Sequence, residues 1–452
     1  MTAVIVIAAL GAGFVAYAWR SPIAAIAQPE PASFKAGEVE RGAQLAAIGD
    51  CNTCHTAENG KLFAGGRAFV TPFGTIYSTN ITPDAETGIG NWSLAAFQRA
   101  MREGVDREGN YLYPAFPYDH FTLTRDDDIG ALYAFLMTRE PARQEASANE
   151  LVFPLNHRVL LAGWKLLFVS PGPYQAQPDR DELWNRGAYL AEGLGHCGAC
   201  HTPRNAFGAE DSGRRYAGAD IDGWHAYRLD STADAHVPWS EDAIYAYLRS
   251  GWHGDHGVAR GPMAPVVENL ASVPDDDVRA IAHYIAGIMG VPKLQPPSAP
   301  QAPAVAMNQS GARPQSAGSQ TLPPIAPDAA TASDLGARLY AASCAACHEA
   351  GRAVPIGAIN LALSSSITGA SPDNLLRILL TGIPAKGDGQ RNPIMPGFAN
   401  TMSDPQILAL ATYLRGRFGG QRPGWDDLPA TLSQVRTDMN PKAGRQASAA
   451  RP

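Results

Sequence analysis

The stretch RGAQLAAIGDCNTCH, residues 41–55, contains the motif on which the interpretation of this chain depends. The motif is Cys-x-x-Cys-His, and it recurs as CGACH at residues 197–201 and as CAACH at residues 344–348. The three motifs begin 146 and 147 residues apart and together use all 6 cysteines of the chain. The tripeptide RGA precedes the first two motifs and LGA precedes the third. This regularity indicates three copies of one unit.

Each copy carries the same signals for helices. One helix leads into the motif, a second follows it, and a third, with apolar residues at helical spacing, closes the copy. The second helices are entered at Ser93, Ser240 and Ser371-Pro372 and end at Gly104, Gly251 and Gly382. Serine is a good N-cap and glycine a good C-cap, and acidic residues at 126–128, 275–277 and 404 suit the starts of the third helices. The fold class is therefore predicted as mainly α.

Two thiols one helical turn apart followed by histidine form the signature of c-type haem attachment. Zinc would need four ligands and hence pairs of motifs, a redox dithiol would not need the histidine, and disulfides would not explain the regular spacing. We therefore expect three covalently bound haems c. Their predicted thioether residues are Cys51, Cys54, Cys197, Cys200, Cys344 and Cys347, and their predicted iron ligands on one side are His55, His201 and His348.

These signals divide the chain into three tandem cytochrome c-like helical domains, each with one covalent haem. The predicted segments are 1–30 (apolar anchor or signal), 35–145, 175–292 and 333–420 (the three domains), 293–332 (a linker rich in Pro, Ala and Ser) and 421–452 (a polar, poorly ordered tail). The linker composition is typical of flexible connections between domains.

The sixth iron ligand is predicted from the loop between the second and third helices of each copy. Met263 and Met395 lie there in segments that contain proline, and a methionine ligand beside histidine raises the reduction potential. His253 and His256 are the alternatives near Met263. In the third copy Met395 is the candidate.

The first copy departs from this pattern, because Phe116 stands where a methionine is expected. His120 lies in the correct loop and is the first candidate for the sixth ligand. Met101 and Met137 lie on predicted helices, where a role in the core is more natural. A site without a protein ligand is the remaining alternative, and such a site could bind small molecules.

Residues 2–19 carry no charged side chain and end at Arg20. An uncleaved membrane anchor, a cleaved signal peptide and a buried core helix are the three alternatives, of which we favour the anchor. Anchor and signal both place the rest of the chain outside the cytoplasm, at the periplasmic side of the cell membrane. The formal net charge of −7 and a charged fraction of 17% exclude a strongly basic nucleic-acid binder.

Other stretches carry a resemblance to a known family. They are residues 80–84 (NITPD), 86–90 (ETGIG), Trp92-Ser93, 112–115 (LYPA), Pro117-Tyr118 and 261–263 (GPM). With the three motifs, they make residues 35–420 resemble the three-haem cytochrome c subunits of bacterial membrane-bound alcohol, gluconate and related dehydrogenases. The resemblance implies a chain that accepts electrons from a separate catalytic subunit and passes them to a quinone or a terminal oxidase.

The variant with Phe116, followed by Asp119-His120-Phe121, resembles cytochrome subunits that accompany molybdenum hydroxylases acting on N-heterocycles or aldehydes. The catalytic partner is therefore expected to be of the molybdenum, flavin or quinone-cofactor type. We expect electron transfer rather than catalysis by the chain itself. The alternative, a peroxidase or reductase using an open first haem, would need acid–base residues beside the iron, and the loop shows no such set.

Overall fold

The computed structural model describes residues 2–233, 235–292, 335–349, 359–384 and 395–439. The chain divides into two compact units, residues 1–290 and 291–452. Helices are the dominant element of the described residues, which confirms the mainly α prediction. The predicted linker at 293–332 lies outside the described residues, and the three domain boundaries stay a prediction.

The helices of the first unit include those predicted around both of its motifs. In chain order they are α1 Thr2–Ala18, α2 Ala36–Ile48, α3 Cys51–Cys54, α4 Leu94–Glu103, α5 Tyr118–Phe121, α6 Asp126–Met137, α7 Leu161–Phe168, α8 Glu182–Glu192, α9 Cys197–His201, α10 Glu241–Ser250, α11 Met263–Leu270 and α12 Asp275–Ile288. The hydroxyls of Ser93 and Ser240 cap α4 and α10, and Gly104 and Gly251 end these helices with φ of 58° and 70°. These boundaries agree with the predicted capping residues.

Short strands, which the sequence analysis did not predict, join the helices of the first unit. β1 Ala68–Thr71, β2 Gly74–Tyr77 and β3 Glu150–Leu151 form an antiparallel sheet in that order. β4 Ala219–Ile221 pairs with β5 Trp224–Ala226, and β6 Trp252–His253 pairs with β7 Gly257–Val258. Ala68 lies opposite Tyr77, and Gly74 lies opposite Leu151.

The second unit repeats the same helical arrangement. Its helices are α13 Leu335–Ser343, α14 Ala345–His348, α15 Ser365–Thr368, α16 Asp373–Thr381, α17 Asp404–Phe418 and α18 Leu428–Met439. Its core is formed by Tyr340, Leu376, Leu410 and Leu414 together with neighbouring apolar side chains. Ser403 and Gln406 form a capping box at the start of α17.

One glycine in each copy lets two helices cross at close range. A Cβ atom at Gly42, Gly187 or Gly336 would lie 2.0, 1.9 or 2.3 Å from a backbone carbonyl oxygen of the third helix of the same copy. The crossing pairs are α2 with α6, α8 with α12 and α13 with α17. The glycine of the repeated RGA or LGA tripeptide thus allows the backbones of the first and third helices to approach each other closely. The three copies share this helix packing.

The prediction of a poorly ordered tail after residue 421 is wrong for part of that segment. Residues 428–439 form α18, and its side chains Leu428, Leu432 and Val435 are buried in the core of the second unit. Their i, i+4, i+7 spacing gives the helix an apolar face, which overall polarity does not reveal. Arg436 on the same helix pairs with Asp404, with 2.6 Å between Nε and Oδ1.

The N-terminal apolar segment forms α1, which has 17 residues. Ala18 at its end is buried with Val105, Tyr111 and Ala162. Among the described residues, no helix is long and apolar enough to cross a membrane.

Candidate haem sites

Each Cys-x-x-Cys-His motif lies on a short helix, α3, α9 or α14, that directly follows the first helix of its copy. Asp50 and His196 precede the first two motifs and have left-handed backbone conformations, with φ of 52° and 35°. These residues turn the chain sharply between the two helices. All six cysteines lie in the described part of the chain, and none of them forms a disulfide.

The motif histidines share one hydrogen-bond arrangement. Nδ1 of His55 lies 2.7 Å from the carbonyl oxygen of Thr79, and Nδ1 of His201 lies 2.7 Å from that of Tyr227. A carbonyl oxygen can only accept a hydrogen bond, so Nδ1–H donates and the lone pair remains on Nε2. This is the tautomer that a metal-ligating histidine adopts when its second nitrogen is fixed by a carbonyl group.

The second unit repeats this arrangement with a longer contact. Nδ1 of His348 donates to the carbonyl oxygen of Ile359 at 3.3 Å. In all three copies, therefore, two thiols and an imidazole with a free Nε2 lie on one helical turn. That donor set fits covalent attachment of haem c, with the cysteines as thioether partners and the histidine as iron ligand.

The loops that carry the predicted methionines follow the second helix in each copy. Met263 opens α11, and Met395 forms a two-hydrogen-bond bridge with Ile383. The N–H of Ile383 donates to the Met395 carbonyl at 2.8 Å, and the N–H of Met395 donates back at 3.1 Å. The structure thus fixes the backbone at both positions, and the roles of the two side chains as iron ligands stay predictions.

The histidines near Met263 have other partners. The ring of His256 stacks on Trp239, with 3.5 Å between ring centroids and 10° between ring planes. Nδ1 of His253 accepts a hydrogen bond from the N–H of Asp255 at 3.2 Å.

The first copy places Phe116 where the second places Met263. The backbone N–H of Leu112 donates to the carbonyl of Gly104 at 2.8 Å, as that of Ala259 does to Gly251 at 2.9 Å. Counting four residues onward from each donor reaches Phe116 in one copy and Met263 in the other. The ring of Phe116 packs edge-on against Phe121, with 5.1 Å between centroids. Met101 and Met137, the other candidates, are buried on α4 and α6.

His120 is buried and uses both ring nitrogens. Nδ1 donates to the carbonyl oxygen of Glu192 at 2.7 Å, and Nε2 donates to Oε1 of Glu210 at 2.6 Å. Burial alone would lower the pKa of His120, but the Glu210 hydrogen bond and the charges of Glu210 and Asp119 outweigh it and raise the pKa to about 9. In this arrangement His120 has no lone pair to offer iron, and ligation would require one of these hydrogen bonds to break.

The carboxylates around His120 also offer oxygen atoms to a cation. Ligand atoms of Asp119, His120 and Glu210 lie within 4.8 Å of one another. The positive charge of the nearby Arg204 stabilises the ionised form of both carboxyl groups. Together with the His120 imidazolium, it balances the negative charges of Asp119 and Glu210. We therefore interpret the cluster as an ion-paired contact between the first two copies rather than as a metal site.

The two motifs of the first unit are held together by polar contacts. The side-chain amides of Asn52, inside the first motif, and Asn269, on α11, exchange hydrogen bonds of 3.1 and 2.9 Å. The His196 ring, next to Cys197, hydrogen-bonds to the backbone of Gly49. The first motif therefore touches α11, and the residues just before the two motifs touch each other.

A buried ionic network that the sequence analysis missed joins the first two copies. Arg41 Nε lies 3.1 Å from Oδ1 of Asp128, and its Nη1 lies 3.1 Å from Oδ2 of Asp277. Arg186 Nη2 lies 2.7 Å from Oδ1 of Asp277, and the Tyr189 hydroxyl donates a hydrogen bond of 2.6 Å to Oδ2 of Asp128. Both carboxylates are buried.

A signal for this network is present in the sequence. The arginines open the RGA tripeptides, and the aspartates are the third acidic residues of the DDD runs, whose first residues suit helix starts. The third copy has Leu335 and Gln406 at the corresponding positions. The first and second copies each have both the arginine and the aspartate, and the third copy has neither. This difference identifies the first two copies as the pair that the network joins.

Comparison with known proteins agrees with the motif chemistry. The family described as cytochrome c oxidase, cbb3-type, subunit III matches residues 331–414. The chain is 35% identical over 405 residues to the fructose dehydrogenase cytochrome subunit of Gluconobacter japonicus, covering 87% of this chain and 82% of that protein. It is 37% identical over 411 residues to the gluconate 2-dehydrogenase cytochrome c subunit of Pantoea cypripedii, covering 84% and 86% respectively.

A further relative is a nicotinate dehydrogenase subunit of Pseudomonas putida, at 47% identity over 435 residues. The match covers 95% of this chain but only 34% of that protein. The chain therefore spans about a third of the length of this relative.

Proposed function

Because the chain belongs to the family of dehydrogenase cytochrome c subunits, we propose that it is a three-haem electron carrier serving a separate catalytic unit. The observation that carries this proposal is the repeated donor set, with two free thiols and an Nε2 lone pair in each of three copies. Covalent binding of haem c is indicated by the cytochrome c relatives themselves.

The haems, when bound, supply a one-electron couple between ferric and ferrous iron, and the protein fixes and tunes them. The chain's own residues fix the ligand tautomer through the carbonyls of Thr79, Tyr227 and Ile359. The contact between Asn52 and Asn269 holds the first two sites beside each other in a single unit. Such fixed ligands suit electron transfer, because little rearrangement accompanies the change in charge.

The catalytic partner in this proposal is a dehydrogenase that oxidises an N-heterocycle such as nicotinate. Two observations support it, namely the 47% identity to a nicotinate dehydrogenase subunit and the Phe116 variant in the first copy. A molybdenum hydroxylase is the catalytic type we expect, with flavin or quinone-cofactor dehydrogenases as the alternatives. A quinone or a terminal oxidase accepts the electrons, at the periplasmic side of the cell membrane.

The test uses the complex purified gently from native membranes. We expect molybdenum to copurify with haem c, and nicotinate or a related heterocycle to reduce the haems within the turnover time of the enzyme. Flavin or pyrroloquinoline quinone without molybdenum would reassign the partner to the alcohol and sugar dehydrogenases. Failure of every such substrate to reduce the haems would contradict the proposed role of electron carrier.

The methionine assignments give a separate prediction. Met263→Ala and Met395→Ala should each lower one reduction potential by on the order of 0.1 V, since loss of the thioether removes the ligand that raises it. Each variant should also gain carbon monoxide binding at one reduced haem. Redox titration and carbon monoxide difference spectra measure both effects. Met289→Leu, a change at the residue that follows α12 and is outside every set of candidate ligands, is the control and should leave all potentials in place.

A further inference from the structure

The segment from residue 152 to 168 exposes an unusual number of large apolar side chains. Phe153, Leu166 and Leu167 are 80, 69 and 72% exposed. The other members are Val152, Leu155, Val159 and Leu160. Single exposed apolar residues are normal on a soluble protein, but a concentration of this kind marks an interaction surface.

Four of the exposed residues lie on one face of the helical segment. Around α7, Val159 and Leu160 are seven residues from Leu166 and Leu167, so the two pairs lie on one side of the helical segment. Phe168 packs against the exposed ring of Phe207, with 5.8 Å between centroids. We call Val159, Leu160, Leu166, Leu167 and Phe207 the α7 surface.

The same segment is connected to the N-terminal helix. The ring of Phe14 lies close to Gly163, and Leu161 packs against the buried cluster that contains Ala18. α1 has no charged side chain, and Trp19 and Arg20 follow at its end. Val15, Tyr17 and Trp19 are themselves exposed, so the apolar character of the α7 surface continues onto α1.

The segment carries two basic side chains, and both face the protein. Residues 152–168 include Arg158 and Lys165 and no acidic residue, in a chain whose formal net charge is −7. These two residues are also seven apart, and they lie on the protein side of the helix. Arg158 donates to the Tyr111 carbonyl at 2.9 Å, and the Lys165 ammonium lies 5.1 Å from the centre of the Tyr111 ring. The outer face of α7 therefore consists of uncharged side chains, as the apolar side of an interfacial helix does.

We infer that the α7 surface is an in-plane membrane-binding element that inserts into the interface of a lipid bilayer. The helix of eight residues is far too short to span a bilayer, and its apolar outer face with basic residues behind it is the pattern of an interfacial helix. The inference deepens the proposed location at the membrane, on which it rests, and does not depend on the number of haems. It orients the first unit with α7 toward lipid.

The test uses the full chain with its haems, bound to vesicles of phosphatidylethanolamine and phosphatidylglycerol. Leu167→Cys supplies a thiol whose reaction with a bulky, water-soluble maleimide is followed by a mass shift, with labelling of the parent chain subtracted. We expect vesicles to slow labelling at position 167 by about tenfold. Leu183→Cys is the control, because Leu183 is also exposed but lies among Glu241, Asp242 and Asp276. Its labelling rate should not change.

A third variant, Val15→Cys, separates the two proposals. Protection at position 15 without protection at position 167 would leave the membrane location standing and overturn the inference about α7. Protection at neither position would contradict both. Protection at position 167 by the catalytic subunit alone, without vesicles, would show that the α7 surface binds protein instead and would also overturn the inference.

Discussion

Replacing Cys344 and Cys347 together with serine is expected to lower the haem-to-protein ratio from three to two. A hydroxyl group cannot form the thioether bond, and His348 alone holds haem only by coordination. The second unit has its own apolar core, so the first unit should retain both of its haems. The ratio is measured by haem absorbance of the alkaline pyridine complex against protein mass.

Ser343→Ala, a change beside the motif that leaves both thiols, is the matched control and should keep the ratio of the parent. A parent ratio of two that the double variant leaves unchanged would show that the third motif carries no haem. A double variant that still contains three covalent haems would contradict the assignment of Cys344 and Cys347. Mass spectrometry of the intact chains distinguishes covalent from merely coordinated haem.

Arg41→Ala is expected to lower the free energy of unfolding of the first unit by about 2–4 kcal/mol. The substitution removes one of the cations that face the buried carboxylates of Asp128 and Asp277. Asp277 keeps Arg186, but Asp128 is left with the Tyr189 hydroxyl. The Arg41 side chain is 27% exposed, so solvent reduces the effect below that of a fully buried pair.

Denaturant unfolding followed by circular dichroism measures this loss. The control is Arg143→Ala, because the ion pair of Arg143 with Glu86 is exposed, with side chains 70 and 65% accessible. That variant should change stability by less than about 1 kcal/mol. An equal decrease in the free energy of unfolding in the two variants would show that the network stabilises the first unit no more than an exposed ion pair does.

Local signals accounted for much of the fold. Ser93, Gly104, Ser240 and Gly251 mark helix ends in the sequence and in the structure, because capping depends on residues within one turn. The motif histidines were likewise identified from five consecutive residues. The carbonyl groups that fix the tautomer of these histidines could not be predicted. They lie in loops of irregular conformation, whose course no local pattern predicts.

Contacts between copies were harder to predict. His120 is the first candidate for the sixth ligand because it lies in the correct loop. Its hydrogen-bond partners Glu192 and Glu210 are 72 and 90 residues away and could not be predicted from that loop. The acidic runs at 126–128 and 275–277 suit helix starts, and this explains their first residues. It does not explain Asp128 and Asp277, which bind arginine side chains. Helix α18 was missed because its buried face consists of only Leu428, Leu432 and Val435 in a polar segment.

The pairing of Arg41 with Asp277 has a consequence for the order of assembly. The two residues are 236 positions apart, so the first copy cannot complete its surroundings until the second copy has been synthesised. Loop closure over such a separation is slow and comes after local helices have formed. The first copy therefore gains this part of its stability only when the helix that carries Asp277 has joined it.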